Sequence, residues 1–511
     1  MSDFVYSSAE IRAIEALHAK RKPKVFLMLQ AGKAVADFAL GLLKKKRDAR
    51  VLVLAGAGNN GGDAWVAANA LCEAGVKVTL VEPAPQRSAD PVAQRARVAY
   101  RKANGIILTA FPSSEKFDLI VDGLFGIGLR RPIAGAMATL IASANGNADF
   151  HRTPILAIDI PSGLAADSGV ALGAAIHADY TLTFLGAKPG LYTADGADHA
   201  GEIHVDMLGV TAPPSPGRLL TRQIAVPLIP TRRKNSHKGS HGSVGIIGGA
   251  NGMAGAAVLA ARAALHTGAG KVYLGMAADN APGFDTINPE IMVHSARELL
   301  SSPSALTALA IGMGLGTDSA AKRLLRTALT CKVPQVIDAD ALTIISSNTS
   351  IRAALKAQML GEPHQCLSLI FTPHPGEAAR LLGIATAEVQ ADRVRAATAI
   401  ASHFGVVAIL KGAGTIIAEP SGSYWINTSG NPGMASGGMG DALSGMIAAF
   451  LAGGMAAMDA AKLAVYLHGA AADECLAHGM APLGLTASEV IFEARTLLNA
   501  GLEAHDHDSP D

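Results

Sequence analysis

Residues 427–445 read N-T-S-G-N-P-G-M-A-S-G-G-M-G-D-A-L-S-G, and the run after them stays uncharged as far as Met458. Five glycines fall between Gly430 and Gly440. Backbone of that density can take positive φ and approach a ligand closely, since no Cβ stands in the way. A helix starting at about Asp441 aims its free N–H groups and positive dipole end back into the loop, a setting for phosphate oxygens. Asp441 at that mouth is placed to take a proton from a substrate hydroxyl while the loop holds a transferring phosphoryl group. A helix cap accounts for the same aspartate equally well.

The composition narrows the field around this stretch. A chain of 511 residues has room for two or three domains, each with its own core. With 43 basic and 42 acidic side chains, no net field argues for nucleic acid or an anionic membrane as a partner. Half the residues are apolar but only 4% are aromatic, which suits small-residue helices packed closely on sheets. Cys72, Cys331, Cys366 and Cys475 are scattered without ligand spacing, so a reducing, cytoplasmic compartment is expected rather than a disulfide framework. The first ten residues show no signal-peptide pattern. Residues 442–458 are uncharged but shorter than the ~20 a membrane span needs, and they read as a buried core helix.

Taken in order, Ser7 and Glu10 form a capping box opening a helix toward Lys20, and a second helix is predicted over 25–43. A buried strand over 50–55 runs into G-A-G-N-N-G-G-D (56–63), with a helix predicted over 64–74. Strand, glycine turn and helix make the phosphate-binding half of a Rossmann-like unit. Further strands are predicted at 77–81, 118–122 and 155–160, a parallel, doubly wound pattern. Ligands of such sheets sit beyond the carboxyl ends of the strands, so Asn60, Asp122, Asp159 and Ser162 are expected to converge. Oxygen donors of this kind suit a hard cation or sugar hydroxyls. Asp122 and Asp159 also read as turn formers ahead of glycine and proline.

Prolines and then basic residues over 211–234 mark an interdomain linker. The pattern restarts at Ser243, with strands predicted at 244–248, 272–276, 308–313, 335–338, 368–372 and 406–411. Their ends carry G-M-G-L-G (312–316), D-A-D-A-L (338–342), T-P-H-P-G-E (372–377) and K-G-A-G-T (411–415). His374, between two prolines, is placed in an exposed turn. No P-loop motif occurs.

These motifs carry two resemblances. N-N-G-G-D, V-D-G-L-F-G-I-G-L-R-R-P (121–132), D-I-P-S-G (159–163) and F-L-G-A-K-P-G (184–190) resemble NAD(P)H-hydrate epimerase domains. N-P-G-M-A-S-G-G-M-G-D, with the second set of strand ends and K-G-S-H-G-S (238–243), resembles the ribokinase-like ADP/ATP-dependent NAD(P)H-hydrate dehydratases. The fold class so implied is α/β: an N-terminal Rossmann-like doubly wound sheet and a C-terminal ribokinase-like α/β domain. The expected division is 1–220, 221–504 and a disordered tail over 505–511.

The epimerase resemblance implies a potassium site at Asn60, Asp122 and Ser162. It further implies cofactor contacts from Asn59, Asn60, Gly61, Gly62, Asp63, Gly126, Ile127, Gly128, Leu129, Arg130, Arg131, Pro132 and Asp159, with Asp159 taken for acid–base work. The family usually has glycine where this chain has Ala64, a change expected to disturb cofactor fit if backbone contact is needed there. The dehydratase resemblance implies substrate contacts from Ala256, Gly314, His374 and Asp441, with Asp441 as base. It places a nucleotide site at Lys411, Gly412, Ala413, Gly414, Thr415 and Gly440. The implied partners are NADHX and NADPHX, with ADP or ATP (ADP favoured) and Mg2+, and a homo-oligomer. Two rivals stay open: a kinase that keeps its phosphorylated product, and a non-catalytic N-terminal binding module.

Overall fold

The computed structural model describes residues 3–19, 25–44, 46–83, 91–361 and 369–507. They form two compact units, Met1–Gly217 and Arg218–Asp511. Cys366 and the first residue of the strand expected at 368–372 lie outside the described residues.

The first unit is built on seven parallel strands: β1 (Arg50–Ala55), β2 (Lys77–Val81), β3 (Ile106–Leu108), β4 (Leu119–Gly123), β5 (Ile155–Ile158), β6 (Tyr180–Phe184) and β7 (Glu202–Asp206). Their order is β3-β2-β1-β4-β5-β6-β7. Side chains alternate along a strand. Val51 and Val53 accordingly enter one core cluster while Leu52 and Leu54 enter another, so both faces of the sheet are covered. Helices α1 (Ser8–Ala19), α2 (Val25–Leu42), α3 (Asn59–Glu73), α4 (Pro91–Lys102) and α5 (Gly135–His151) supply the covering. The chain leaves β1 toward one edge and returns to β4 on β1's other side. That reversal opens a crevice at the strands' carboxyl ends.

One expected boundary moves. Helix α3 begins at Asn59, not Ala64, with Gly58 as an extended N-cap, so N-N-G-G-D forms the first helical turn. Close packing selects these glycines. A Cβ on Gly61 would lie 1.8 Å from the Gly56 carbonyl oxygen, and one on Gly62 would lie 2.5 Å from the Met28 methyl. The Ala64 methyl is fully buried against Gly123 of β4 and faces the sheet, so the expected disturbance of cofactor fit has no direct contact to act through.

In the second unit the strands are β8 (Ser243–Gly248), β9 (Lys271–Met276), β10 (Met292–Ser295), β11 (Ala308–Ile311), β12 (Gln335–Ile337), β13 (Leu369–Phe371), β14 (Val407–Leu410), β15 (Ile416–Ala418) and β16 (Tyr424–Asn427). They run in the order β16-β15-β14-β13-β12-β11-β8-β9-β10. All the pairings from β10 to β14 are parallel, and β14, β15 and β16 form an antiparallel meander. Helices α6 (Ala254–His266), α7 (Ala339–Ser347), α8 (Pro375–Leu382), α9 (Met439–Ala452), α10 (Ala457–Ala477) and α11 (Ala487–His507) pack around them. Every residue of α9 from Ala442 to Ala452 is buried, which is why that run carries no charge. Gly445 is the contact point with α6, where a Cβ would meet the Ala260 carbonyl at 2.1 Å.

Two further expectations change. The stretch read as a linker holds the strand Gly217–Leu220 and the short helix Arg222–Ala225, and Leu220 and Ala225 are fully buried in the second unit's core. Residues 505–507 of the expected disordered tail belong to α11, and 508–511 lie outside the described residues. Among the described residues, no helix is long and apolar enough to cross a membrane.

Candidate active sites

The crevice of the first unit holds a cavity of about 630 Å³. Asn59, Asn60 and Asp63 line it from α3, the segment 126–131 lines it from the loop after β4, and Asp159 lines it from the end of β5. Arg12, Met28 and Phe184 complete part of the wall. Gly61, Gly62 and Pro132 are not on the wall. The two glycines serve the packing of α3.

Asn60, Asp122 and Ser162 meet around the Phe125 peptide. The Asn60 amide donates to the Phe125 carbonyl at 2.9 Å, and Ser162 Oγ lies 3.3 Å from that oxygen and accepts from the Phe125 N–H at 2.8 Å. Ser162 also donates to Asp122 through its hydroxyl and its backbone N–H, each at 2.7 Å. Leu124 N–H adds a third bond to the Asp122 carboxylate at 3.2 Å. Burial pushes the Asp122 carboxyl up to about 6, against the pull of those donors. Among the described residues, no group of three or more His, Cys, Asp or Glu side chains is arranged to hold a metal. The Asn–Asp–Ser cluster is of another kind.

Asp159 takes a left-handed conformation, φ 65°, which a non-glycine residue adopts only where its surroundings hold it. Thr183 Oγ1 and the Phe184 N–H donate to Asp159 Oδ1 at 3.2 Å each. Lys188, whose side chain is wholly buried, donates to the same oxygen at 2.5 Å, and to Thr183 Oγ1 and the Phe184 carbonyl at 2.7 Å. Lys188 sits inside the F-L-G-A-K-P-G motif, yet only the fold reveals its pairing.

In the second unit, α9 begins at Met439 behind Gly438, which takes φ 89° and provides no side-chain cap. Asp441 therefore stands in the first turn and is not the cap residue. Burial, and next the nearby Asp338 carboxylate, push its carboxyl up to about 7 against the pull of Lys411. Lys411 follows β14. Its Nζ lies 3.2 Å from the point a Cβ on Gly440 would occupy, so the ammonium stands close against the backbone at the mouth of α9. Burial opposes its charge, but Asp338, Glu377 and Asp441 outweigh that and raise its pKa.

The K-G-A-G-T loop is held from below. Thr415 Oγ1 donates to the Gly412 carbonyl at 2.9 Å. Buried Arg393 donates to the carbonyls of Leu410 and Lys411 at 3.3 and 3.2 Å, and burial lowers its pKa to about 10. Gly412 takes φ 139° over that guanidinium. His374 caps α8, with Nδ1 accepting from Gly376 N–H at 3.0 Å, and its side chain stays half exposed as expected. Burial, then Lys411, lower its pKa, so it is neutral at neutral pH. Gly314, φ 61°, lies against Met253 and Ala256, which brings the expected substrate contacts Gly314 and Ala256 together. Asp338, seen in the sequence only as part of D-A-D-A-L, accepts from Lys411 Nζ at 2.7 Å, a pairing 73 residues apart that the sequence does not signal.

These features define an α/β protein with a crevice in the first unit and, in the second, a glycine-opened helix mouth where the Lys411 ammonium stands near a carboxyl group raised to about 7. A family model described as NAD(P)H-hydrate dehydratase matches residues 244–493, and one described as YjeF-related protein N-terminus matches residues 24–190. The bifunctional NAD(P)H-hydrate repair enzyme of Escherichia coli K12 is 38% identical, over 94% of this chain and 91% of that protein. The enzyme of the same description from Coxiella burnetii is 37% identical, over 97% and 99% respectively. The chain belongs to the family of bifunctional NAD(P)H-hydrate repair enzymes. Among solved structures, ADP/ATP-dependent NAD(P)H-hydrate dehydratase from Bacillus subtilis, co-crystallised with ATP/Mg2+, is 28% identical over 55% of this chain and 98% of that one, with a TM-score of 0.47. A ribokinase-like superfamily protein from Enterococcus faecalis is also 28% identical, over 56% and 96%, with a TM-score of 0.48.

Proposed function

We propose that the second unit dehydrates S-NAD(P)HX at the expense of a nucleotide, with Asp441 as general base. The observation that carries this reading is the Asp441 carboxyl, pushed up to about 7 beside the Lys411 ammonium at a glycine-opened helix mouth. NADHX and NADPHX carry a hydroxyl on C6 beside the ring nitrogen. Asp441 takes the proton of that hydroxyl as its oxygen attacks the terminal phosphorus of ADP or ATP, and the nucleotide leaves shortened by one phosphate. Lys411 and the N–H groups of the loop and first turn hold the charge of the transferring phosphoryl group. The ring nitrogen's lone pair expels the new phosphate, and loss of the C5 proton restores the C5–C6 double bond. ADP is the proposed nucleotide, with Mg2+ to neutralise its phosphates. His374, Ala256 and Gly314 are proposed contacts to the hydrated ring, and residues 411–415 with Gly440 form the proposed nucleotide site.

The first unit is proposed to interconvert the R and S epimers in its crevice, with Asp159 as acid–base group. A monovalent cation fits the cluster at Asn60, Asp122 and Ser162. It supplies one carboxylate with neutral oxygens, and among the described residues the hydrogen bonds to that buried carboxylate come from Ser162 and Leu124, with no basic side chain. Sites for calcium or magnesium use more carboxylates or phosphates. Bound potassium would supply the missing positive charge and tie the loop after β4 to β5. The proposed division of labour follows the two units, Met1–Gly217 and Arg218–Asp511, in a cytoplasmic homo-oligomer that engages neither membrane nor nucleic acid.

The test is incubation with mixed NADHX epimers plus ADP or ATP, with and without potassium. Recovery of dihydronicotinamide absorbance with one equivalent of free phosphate supports the reading. A stable phosphoester of the substrate would instead make the second unit a kinase. Epimerisation at the same rate with sodium in place of potassium would remove the potassium assignment alone.

A further inference from the structure

The mouth of α9 contains a carboxylate that the proposed mechanism does not use. Asp338 ends β12, is only 1% exposed, and starts α7. Its Oδ1 accepts from Lys411 Nζ at 2.7 Å and from the Ala339 N–H at 2.8 Å, and its Oδ2 accepts from Ser444 Oγ at 2.7 Å. Ser444 is fully buried one turn into α9, on the helix that carries Asp441. The turn itself is held under strain. Ala339 takes φ 46°, and a Cβ on Gly312 would lie 1.9 Å from the Asp338 carbonyl, so the neighbouring strand end packs directly on this backbone. Strain of this type persists only where the surroundings over-determine the conformation. A plain cap would need neither the strain nor a bond to a third element.

We infer that Asp338 is the positioning residue of the phosphoryl-transfer site: fixed by Ser444 and the Ala339 amide, it aims the Lys411 ammonium at the Gly440 backbone, where the transferring phosphoryl group is held. The lysine's tip has several rotatable bonds and would otherwise spread over them. Tied to Asp338, it keeps about a fifth of its side chain open at the mouth. The Asp338 oxygen that meets Ser444 lies 3.9 Å from the position of a Gly440 Cβ, so carboxylate, ammonium and helix mouth form one contiguous group.

The arrangement also couples Lys411 to the base. The charged groups bearing on Asp441 are Asp338, Lys411, Asp340 and Glu377, and of the acids Asp338 acts most strongly. His374 and His468 add no positive charge at neutral pH, since burial and Lys411 lower both. Asp338 therefore has two separable effects. It sets where the ammonium points, and it helps keep the Asp441 carboxyl near neutrality.

The inference rests on Asp441 being the base, and the experiment separates the two. Asp338→Asn keeps the shape and removes the charge. Its nucleotide-dependent dehydration is expected to fall in kcat by about 10-fold or more at a nearly unchanged KM for NADHX, and the acid limb of the pH–rate profile is expected to move to lower pH. A residue that only braces the fold would lower the rate without moving that limb. Ser444→Ala leaves every charge in place and is expected to lower kcat several-fold with the limb unmoved. Wild-type kcat in both variants, or a limb that stays put or moves up in Asp338→Asn, overturns the inference. If Asp338→Asn does not fold, Ser444→Ala decides alone: a several-fold lower kcat at an unchanged melting temperature supports the inference, and wild-type kcat, or a loss of rate that tracks a loss of melting temperature, overturns it. A wild-type profile with no acid limb, together with only a few-fold loss in Asp441→Asn, would instead count against Asp441 itself.

Discussion

With Asp441 as the proposed base, one carboxyl group is expected to set the pH dependence of dehydration in the second unit. Asp441 lies at about 7, raised by burial and by Asp338 more than Lys411 lowers it. A general base works only when deprotonated, so the dehydration rate falls as pH drops below about 7 and levels off above it. The kcat/KM profile against pH for S-NADHX checks this, and an acid limb nearer 4 would contradict the shift. In Asp441→Asn the amide keeps the shape but cannot take the proton. Dehydration is expected to drop by ~10²–10⁴-fold while nucleotide affinity stays within a few-fold, read by single-turnover kinetics and by nucleotide titration. Gly440→Ala tests the neighbouring contact. Its methyl would enter the space of the Lys411 ammonium at 3.2 Å, and since a lysine tip is flexible the fold should survive while the rate falls.

Elements show where reading stops and packing takes over. The buried strands 50–55 and 243–248 were legible because apolar runs bounded by glycine leave little choice. The start of α3 was not. Asn, Gly and Asp are turn formers by propensity, and the approach of Gly61 to the Gly56 carbonyl, which selects glycine in that first helical turn, is visible only in the fold. The edge strands Met292–Ser295 and Glu202–Asp206 were missed because half-exposed strands of four and five residues carry little periodic signal. The convergence of Asn60, Asp122 and Ser162 followed from strand ends, but the Phe125 peptide that joins them offers only backbone, which no side-chain motif records. The buried Lys188 and Asp338 pairs are long-range in sequence for the same reason. Gly61→Ala should disrupt the α3 start, lower the first unit's melting temperature and abolish epimerisation, with dehydration of the S epimer retained.

A second element-scale expectation comes from α10. His468 is buried, and among the described residues its Nε2 has no hydrogen-bond partner. Burial, then Lys411, lower its pKa to about 4, so it stays neutral in the folded state while an unfolded histidine titrates near 6.5. Between those values the unfolded chain binds the extra proton, so stability falls as pH drops through the window and the loss is complete below it. The full shift corresponds to up to about 3 kcal/mol. His468→Leu removes that term. Denaturant melts of the second unit at pH 6.5 and pH 4 should show the wild type losing stability relative to the variant, and parallel losses would refute the assignment.

At the scale of the whole molecule, the chain divides at Gly217 into two units, each with a core and a set of polar strand ends of its own. Neither set borrows a hydrogen bond from the other in the contacts described above: Asp159 is held by Thr183, Phe184 and Lys188, and Asp338 by Lys411, Ala339 and Ser444. Two independently held sites should fail independently. With Asp441→Asn, R-NADHX should still be converted to the S epimer, and no NADH should be recovered. With Asp159→Ala, the S epimer should be dehydrated at the wild-type rate while the R epimer persists. Chiral chromatography of the residual NADHX together with NADH absorbance reads both outcomes in one reaction. Mixing the two variants should restore full recovery, because the epimer released by one chain is the substrate of the other. If the mixture recovers no more NADH than Asp159→Ala alone, the intermediate does not leave the chain that made it, and the two sites work as one.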